Sequence, residues 1–121
     1  VTASTPAGQP VFVGVFAAPA GFGRELELSG VKVFAQATAP VTVVPHLCRG
    51  GSVGVTTDPL PFCNEIVPTE GATLEPGDEI ILEVVGEDPG QVTLDRIRVA
   101  YREGFRWATQ RAGQPAVVTI L

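Results

Sequence analysis

Apolar side chains along this chain recur at every second position, in short runs. Val11 to Phe16, Leu26 to Ala37, Val41 to Leu47, Glu79 to Val85, Val92 to Tyr101, Phe105 to Thr109 and Ala116 to Leu121 all show this alternation or a short β-branched run. That is the period of strands with one buried face. No stretch holds a helical period for three turns. Glycine and proline, 25 of the 121 residues, separate the runs. Seven to nine short strands at fairly even spacing predict an all-β fold, an immunoglobulin-like sandwich of antiparallel strands.

The individual runs say more. The long run from Leu26 keeps its period through Val31, Val33 and Ala35 only if one residue is added near Ser29–Gly30, which predicts a bulge. Pro45 interrupts the run after Val41 and favours a sheet edge or a bend. One or two short edge strands are expected between Glu65 and Leu74, and one of at most a few residues between Val53 and Thr57. Glu75-Pro76-Gly77-Asp78 has the proline and glycine that a type II turn requires. The strand after it, with Ile80, Leu82 and Val84 facing inward, is the strongest candidate for the centre of a sheet. Ala17 to Gly23 and Glu87 to Gly90 read as connections. Residues 1–10, VTASTPAGQP, read as a flexible lead or linker, and residues 11–121 as a single sandwich domain.

The segment from Val92 to Thr109 predicts a hairpin with a phase change at Asp95–Arg96. Two registers compete at its turn. A Glu103-Gly104 turn pairs Arg102 with Phe105 and turns Phe105 and Trp107 toward the arginines. A three-residue loop with left-handed Gly104 pairs Tyr101 with Phe105. The second register places Tyr101, Phe105, Val99, Trp107, Ile97 and Thr109 on one face, and Arg96, Arg98, Ala100, Arg106, Ala108 and Gln110 on the other. It separates apolar from charged side chains and is preferred, so Tyr101, Phe105 and Trp107 are expected in the core.

Composition narrows the class. A chain of 121 residues, 45% of them hydrophobic, buries roughly two-thirds of its unfolded surface and can hold a core without a metal. No apolar run reaches the ~20 residues of a membrane helix. The net charge of −5 argues against a nucleic-acid partner. No polybasic or amphipathic helix favours a membrane surface. The only cysteines are Cys48 and Cys63. Their spacing suits neither a redox pair nor a zinc site. The alternatives are two buried free thiols in a cytosolic protein or a disulfide. A small lysine-poor β domain favours the disulfide and an oxidising compartment. Such a loop stabilises a fold by ~3 kcal/mol. The first residue is Val1, not methionine, which is consistent with a trimmed signal or an N-terminal membrane anchor.

Three segments, CRGGSVGVTTDPLPFC, EPGDEIILEV and VAYREGFRWATQRAG, resemble parts of small secreted or membrane-anchored β-sandwich proteins of actinobacteria. The likeness runs from about Arg24 to the end. It implies a sandwich fold and an extracellular or cell-surface location, and no activity or catalytic residue.

Several residues invite a chemical reading. Gly50-Gly51-Ser52-Val53-Gly54 matches the spacing of a nucleophile elbow. That device needs a following helix, and a histidine later in the chain. The only histidine, His46, comes earlier, so a glycine-rich loop is the expectation and a serine hydrolase using Ser52 the alternative. His46 beside one cysteine is half a metal site and reads as structural. Glu70, Glu75, Asp78, Glu79, Glu87 and Asp88 gather near turns without calcium-loop spacing and read as solvated. No cofactor and no metal is expected. Arg96, Arg98, Arg102 and Arg106 place four of seven arginines within eleven residues. They read either as ion pairs with Glu83 or the Glu25/Glu27 strand, or as a cationic stripe. Arg98, Arg102 and Arg106 are the candidate binding surface, facing an acidic protein or an anionic envelope polymer. The overall expectation is a non-enzymatic, extracytoplasmic structural or binding module, with a metal-binding extracellular domain as a further alternative.

Overall fold

The computed structural model describes residues 1–18 and 23–121, so most of the connection expected over residues 17–23 lies outside the described residues. Among the described residues there are thirteen strands: β1 (Thr2–Thr5), β2 (Val11–Ala17), β3 (Leu26–Lys32), β4 (Ala35–Ala37), β5 (Thr42–Arg49), β6 (Val55–Thr56), β7 (Glu65–Pro68), β8 (Thr73–Leu74), β9 (Glu79–Val85), β10 (Gly90–Leu94), β11 (Ile97–Glu103), β12 (Arg106–Ala112) and β13 (Ala116–Ile120). One turn of 3-10 helix spans Leu60–Phe62.

Two layers face each other across one core. The first is a five-stranded sheet in the order β6-β2-β9-β5-β7, with β9 at its centre. The second is built from two four-stranded sheets, β1-β13-β10-β4 and β12-β11-β3-β8. Both layers contribute to one cluster: Val11, Val13, Leu47, Ile80, Leu82 and Val84 from the first, Leu28, Val92, Leu94, Ile97, Val99 and Val118 from the second. Each such side chain adds ~1.5–3 kcal/mol when fully buried.

The chain passes between the two sheets of the second layer three times. β3 runs into β4 through Val33 and Phe34, β10 into β11 through Asp95 and Arg96, and β12 into β13 through Gly113, Gln114 and Pro115. The strands on both sides of each break are neighbours in the same order, so three adjacent strands bend at one level. The Asp95 amide donates to the Phe34 carbonyl across this crease, at 3.0 Å. Buried positions fall on even numbers at Val92 and Leu94 and on odd numbers at Ile97 and Val99, the phase change foreseen at Asp95–Arg96. The bulge foreseen at Ser29–Gly30 is also present. Gly30 pairs with Ala100 and Leu28 with Tyr101, leaving Ser29 as the extra residue.

Four expectations need correction. The strand count among the described residues is thirteen and not seven to nine, because the crease divides three long strands and because two-residue strands β6 and β8 contribute. Residues 1–10 are not wholly a lead: β1 pairs in parallel with β13, and Thr5 is buried. Small polar residues carry no apolar period, so this strand is held by its ladder and leaves no pattern in the sequence. Pro45 sits inside β5, with β9 on one side. The edge character it predicted holds on the other side only, since β7 covers just His46 to Arg49.

The fourth correction is the hairpin register. The turn is Gly104-Phe105, with Glu103 opposite Arg106, Arg102 opposite Trp107 and Tyr101 opposite Ala108. Gly104 has φ 61°, which suits the first central position of a two-residue turn whose twist matches its strands. Trp107 therefore faces outward and is 68% exposed, and Phe105 at the tip is fully exposed. Only Tyr101 of the three aromatics packs against the core. Ala108, Gln110 and Ala112 take the inner positions assigned to Phe105, Trp107 and Thr109.

Candidate functional site

The outer face of the first layer is covered. Cys48 and Cys63 are disulfide-bonded with Cα atoms 5.3 Å apart. The loop they close packs Val53 and Cys63 over Ile81, the one residue of β9's centre that points away from the main core. Two buried carboxylates hold the loop down. Glu79 accepts from the Val53 amide at 2.7 Å and from Ser52 Oγ at 3.4 Å. Asp78 accepts from Arg49 Nη1 at 2.7 Å, the Glu75 amide at 2.9 Å and the Gly50 amide at 3.2 Å. Gly14 and Gly51 make the approach possible. A Cβ on Gly14 would lie 2.6 Å from the Glu79 carboxylate, and one on Gly51 only 1.8 Å from the Phe62 carbonyl oxygen.

These contacts give the surroundings of several candidates. Ser52 donates to Glu79, and the chain after it continues into β6, where a nucleophile elbow needs a helix. His46 Nε2 lies 2.8 Å from Glu83 Oε1, and its ring leans on Phe12. Asp78 and Glu79 are buried rather than solvated. Among the described residues no three metal-ligating side chains converge.

The outer face of the second layer is different. In register across β12, β11 and β3 stand Arg111, Arg98 and Lys32, each directly opposite the next. Like charges directly opposite on neighbouring strands repel. All three surround the ring of Phe34, which rises from the crease: Arg111 at 4.5 Å, Lys32 at 5.4 Å and Arg98 at 5.6 Å from its centroid. The ring's negative face offsets part of the repulsion, ~0.5–1 kcal/mol for each exposed contact. One carboxylate reaches the row: Asp95 Oδ2, 3.2 Å from Arg111. Asp95 is held below the usual carboxylate range, first by the hydrogen bond from the Arg96 amide and then by Arg111. Glu70 borders the depression beside Lys32 and Arg98 without closing to ion-pair distance. Arg111 Nε is buried and has no hydrogen-bond partner.

The arginines singled out in the sequence thus separate. Arg98 joins the row. Arg102 bonds Glu27 and lies over Trp107, 5.6 Å from the ring centroid. Arg106 pairs across from Glu103 at the hairpin end, on the opposite face of the strand pair. Arg96 turns to the backbone carbonyls of Gly113 and Arg111. Glu103 binds Arg24 through two bonds of 2.9 Å, which hold its carboxyl below the usual range. The expected partner Glu83 lies in the other layer. Lys32, Phe34 and Arg111 were missed. The signal for them was the register: a Gly104-Phe105 turn puts Arg98 opposite Arg111, and the chain's single lysine faces the same strand.

Compared with known proteins, the chain matches no family model, no curated protein and no solved structure.

Proposed function

We propose that this chain is a non-enzymatic, extracytoplasmic β-sandwich module, immunoglobulin-like in its layered, mainly antiparallel construction, that binds an anionic ligand on the creased outer face. One observation carries this reading: three cations stand in a row across three strands of a protein with a net charge of −5, and a single carboxylate answers them. A fold needs no such row, since any one of these side chains could be neutral at no cost to the core. An anion laid across it would remove the repulsion. The disulfide supports an exported, cell-envelope location. The disulfide lies outside the main core, unlike the inter-sheet bond of antibody domains, so the immunoglobulin-like reading rests on the layers alone.

The test is retention on a carboxylate-bearing resin and its salt dependence. Lys32→Gln with Arg98→Gln should abolish retention at low salt, while Arg106→Gln should leave it unchanged. Equal retention of all three proteins overturns the reading.

A further inference from the structure

Between the cation row and Trp107 the outer face is nearly bare. Ala100 and Thr109 stand on β11 and β12, and with Ser29 of the bulge and Trp107 they border a shallow depression of about 340 Å³, while Gly30, opposite Ala100, borders the adjoining depression beside Lys32 and Arg98. A Cβ at Gly30 would meet nothing within 4 Å. Trp107 closes one end. Arg102, itself tied to Glu27, lies against the indole and steadies it, while two-thirds of the side chain remains open. Arg111 is four residues away on the same strand and face, ~13 Å at strand rise.

We propose that this strip binds an acidic oligosaccharide, with one sugar ring stacked on Trp107 and a carboxylate or sulfate of a neighbouring unit on the Lys32–Arg98–Arg111 row. The inference rests on the anion-binding reading above and adds the class of ligand. Dimensions favour a glycan over a protein. Three strands span ~10 Å, so the strip measures roughly 130 Å², far below the ~800 Å² per partner of a stable protein interface. A thin, flat chain fits such a strip, and the C–H face of a sugar suits an exposed indole whose polar surroundings remain wet. An inorganic anion alone would make no use of Trp107.

Trp107 is the only tryptophan, so its fluorescence reports the stacking directly. Oligogalacturonate and a sulfated oligosaccharide are the two acidic probes; a neutral oligosaccharide of equal length, poly-glutamate and inorganic sulfate are the comparisons. At least one acidic glycan should bind and shift the emission, with the neutral one silent. By calorimetry, Trp107→Ala and Arg98→Gln should each weaken that binding about tenfold. Gly30→Leu, at a position free of positive φ, should block the glycan while the protein still melts normally. Poly-glutamate or sulfate binding that ignores Trp107→Ala and Gly30→Leu, with no glycan bound, overturns this inference and leaves the anion site standing. Arg98→Gln without effect on any anionic probe overturns both.

Discussion

The two outer faces of this sandwich use their charged side chains in opposite ways. On the first layer, Asp78 and Glu79 are buried beneath the disulfide loop and their oxygens accept bonds from Arg49 and from loop amides. His46 and Glu83 answer each other. On the second layer, Lys32, Arg98 and Arg111 line up with one carboxylate among them, and Trp107 stands in solvent. The first arrangement stabilises the fold, because each charge there has a partner that water would otherwise replace. The second works against the fold, which the anion-binding role proposed for that surface would explain.

If that contrast is right, substitutions should divide by face. The largest loss is expected from Asp78→Ala. It leaves two amides without their acceptor and Arg49 with only the Thr73 carbonyl, and breaking such a largely buried pair from one side costs about 3 kcal/mol or more. Cys48→Ala with Cys63→Ala should follow at about 3 kcal/mol, with the loop released from Ile81. Urea denaturation measures both. On the open face Trp107→Ala should move stability by no more than about 0.5 kcal/mol. A loss of several kcal/mol there would mean that the indole is packed after all and that the contrast between faces fails.

Much of the first face was legible in the sequence and little of the second. The disulfide follows from two cysteines in a small β domain. The type II turn before β9 appears with Gly77 at φ 84° and the Asp78 amide donating to Glu75 at 3.1 Å. The burial of Ile80, Leu82 and Val84 follows from strict alternation. These are local signals. Asp78 and Glu79 look like solvated turn residues because nothing local shows the loop folding over them. The cation row depends on two registers at once, β11 with β12 and β11 with β3. Gly104 permits several turns that each look reasonable, and segregating apolar from charged residues favoured the wrong one. Phe34 sits at a break in a strand that read as continuous. A crease that aligns three strand breaks is a non-local fact, and so is everything assembled on it.

Smaller effects sharpen the contrast. Arg98→Gln removes the middle charge of the row, and stability should rise by about 0.5 kcal/mol, more at low salt than at high. A fall in thermal midpoint instead would mean that Arg98 is held by its contact with Phe34 more than it is repelled by its neighbours.

Asp95→Asn should act in the opposite direction and is expected to have the smallest effect. Asp95 is the row's one counter-ion, and its carboxyl is held below the ordinary aspartate value of about 3.9 by the Arg96 amide first and Arg111 second. A group whose value is lowered on folding contributes stability above its unfolded value and loses it as the pH falls through its folded one. The contribution is therefore present at pH 7 and lost in strong acid. Asparagine keeps an oxygen to accept from the Arg96 amide and removes only the charge. Wild type should melt slightly above Asp95→Asn at pH 7, and the gap should close as the pH drops below about 3.9. Anion binding should move the other way: with Arg111 released, the variant should hold a sulfated probe more tightly at pH 7. No gap at pH 7 would show that Asp95 acts through its hydrogen bond alone, which asparagine keeps. The row would then have no counter-ion within the protein, and the contrast between the two faces would be sharper still.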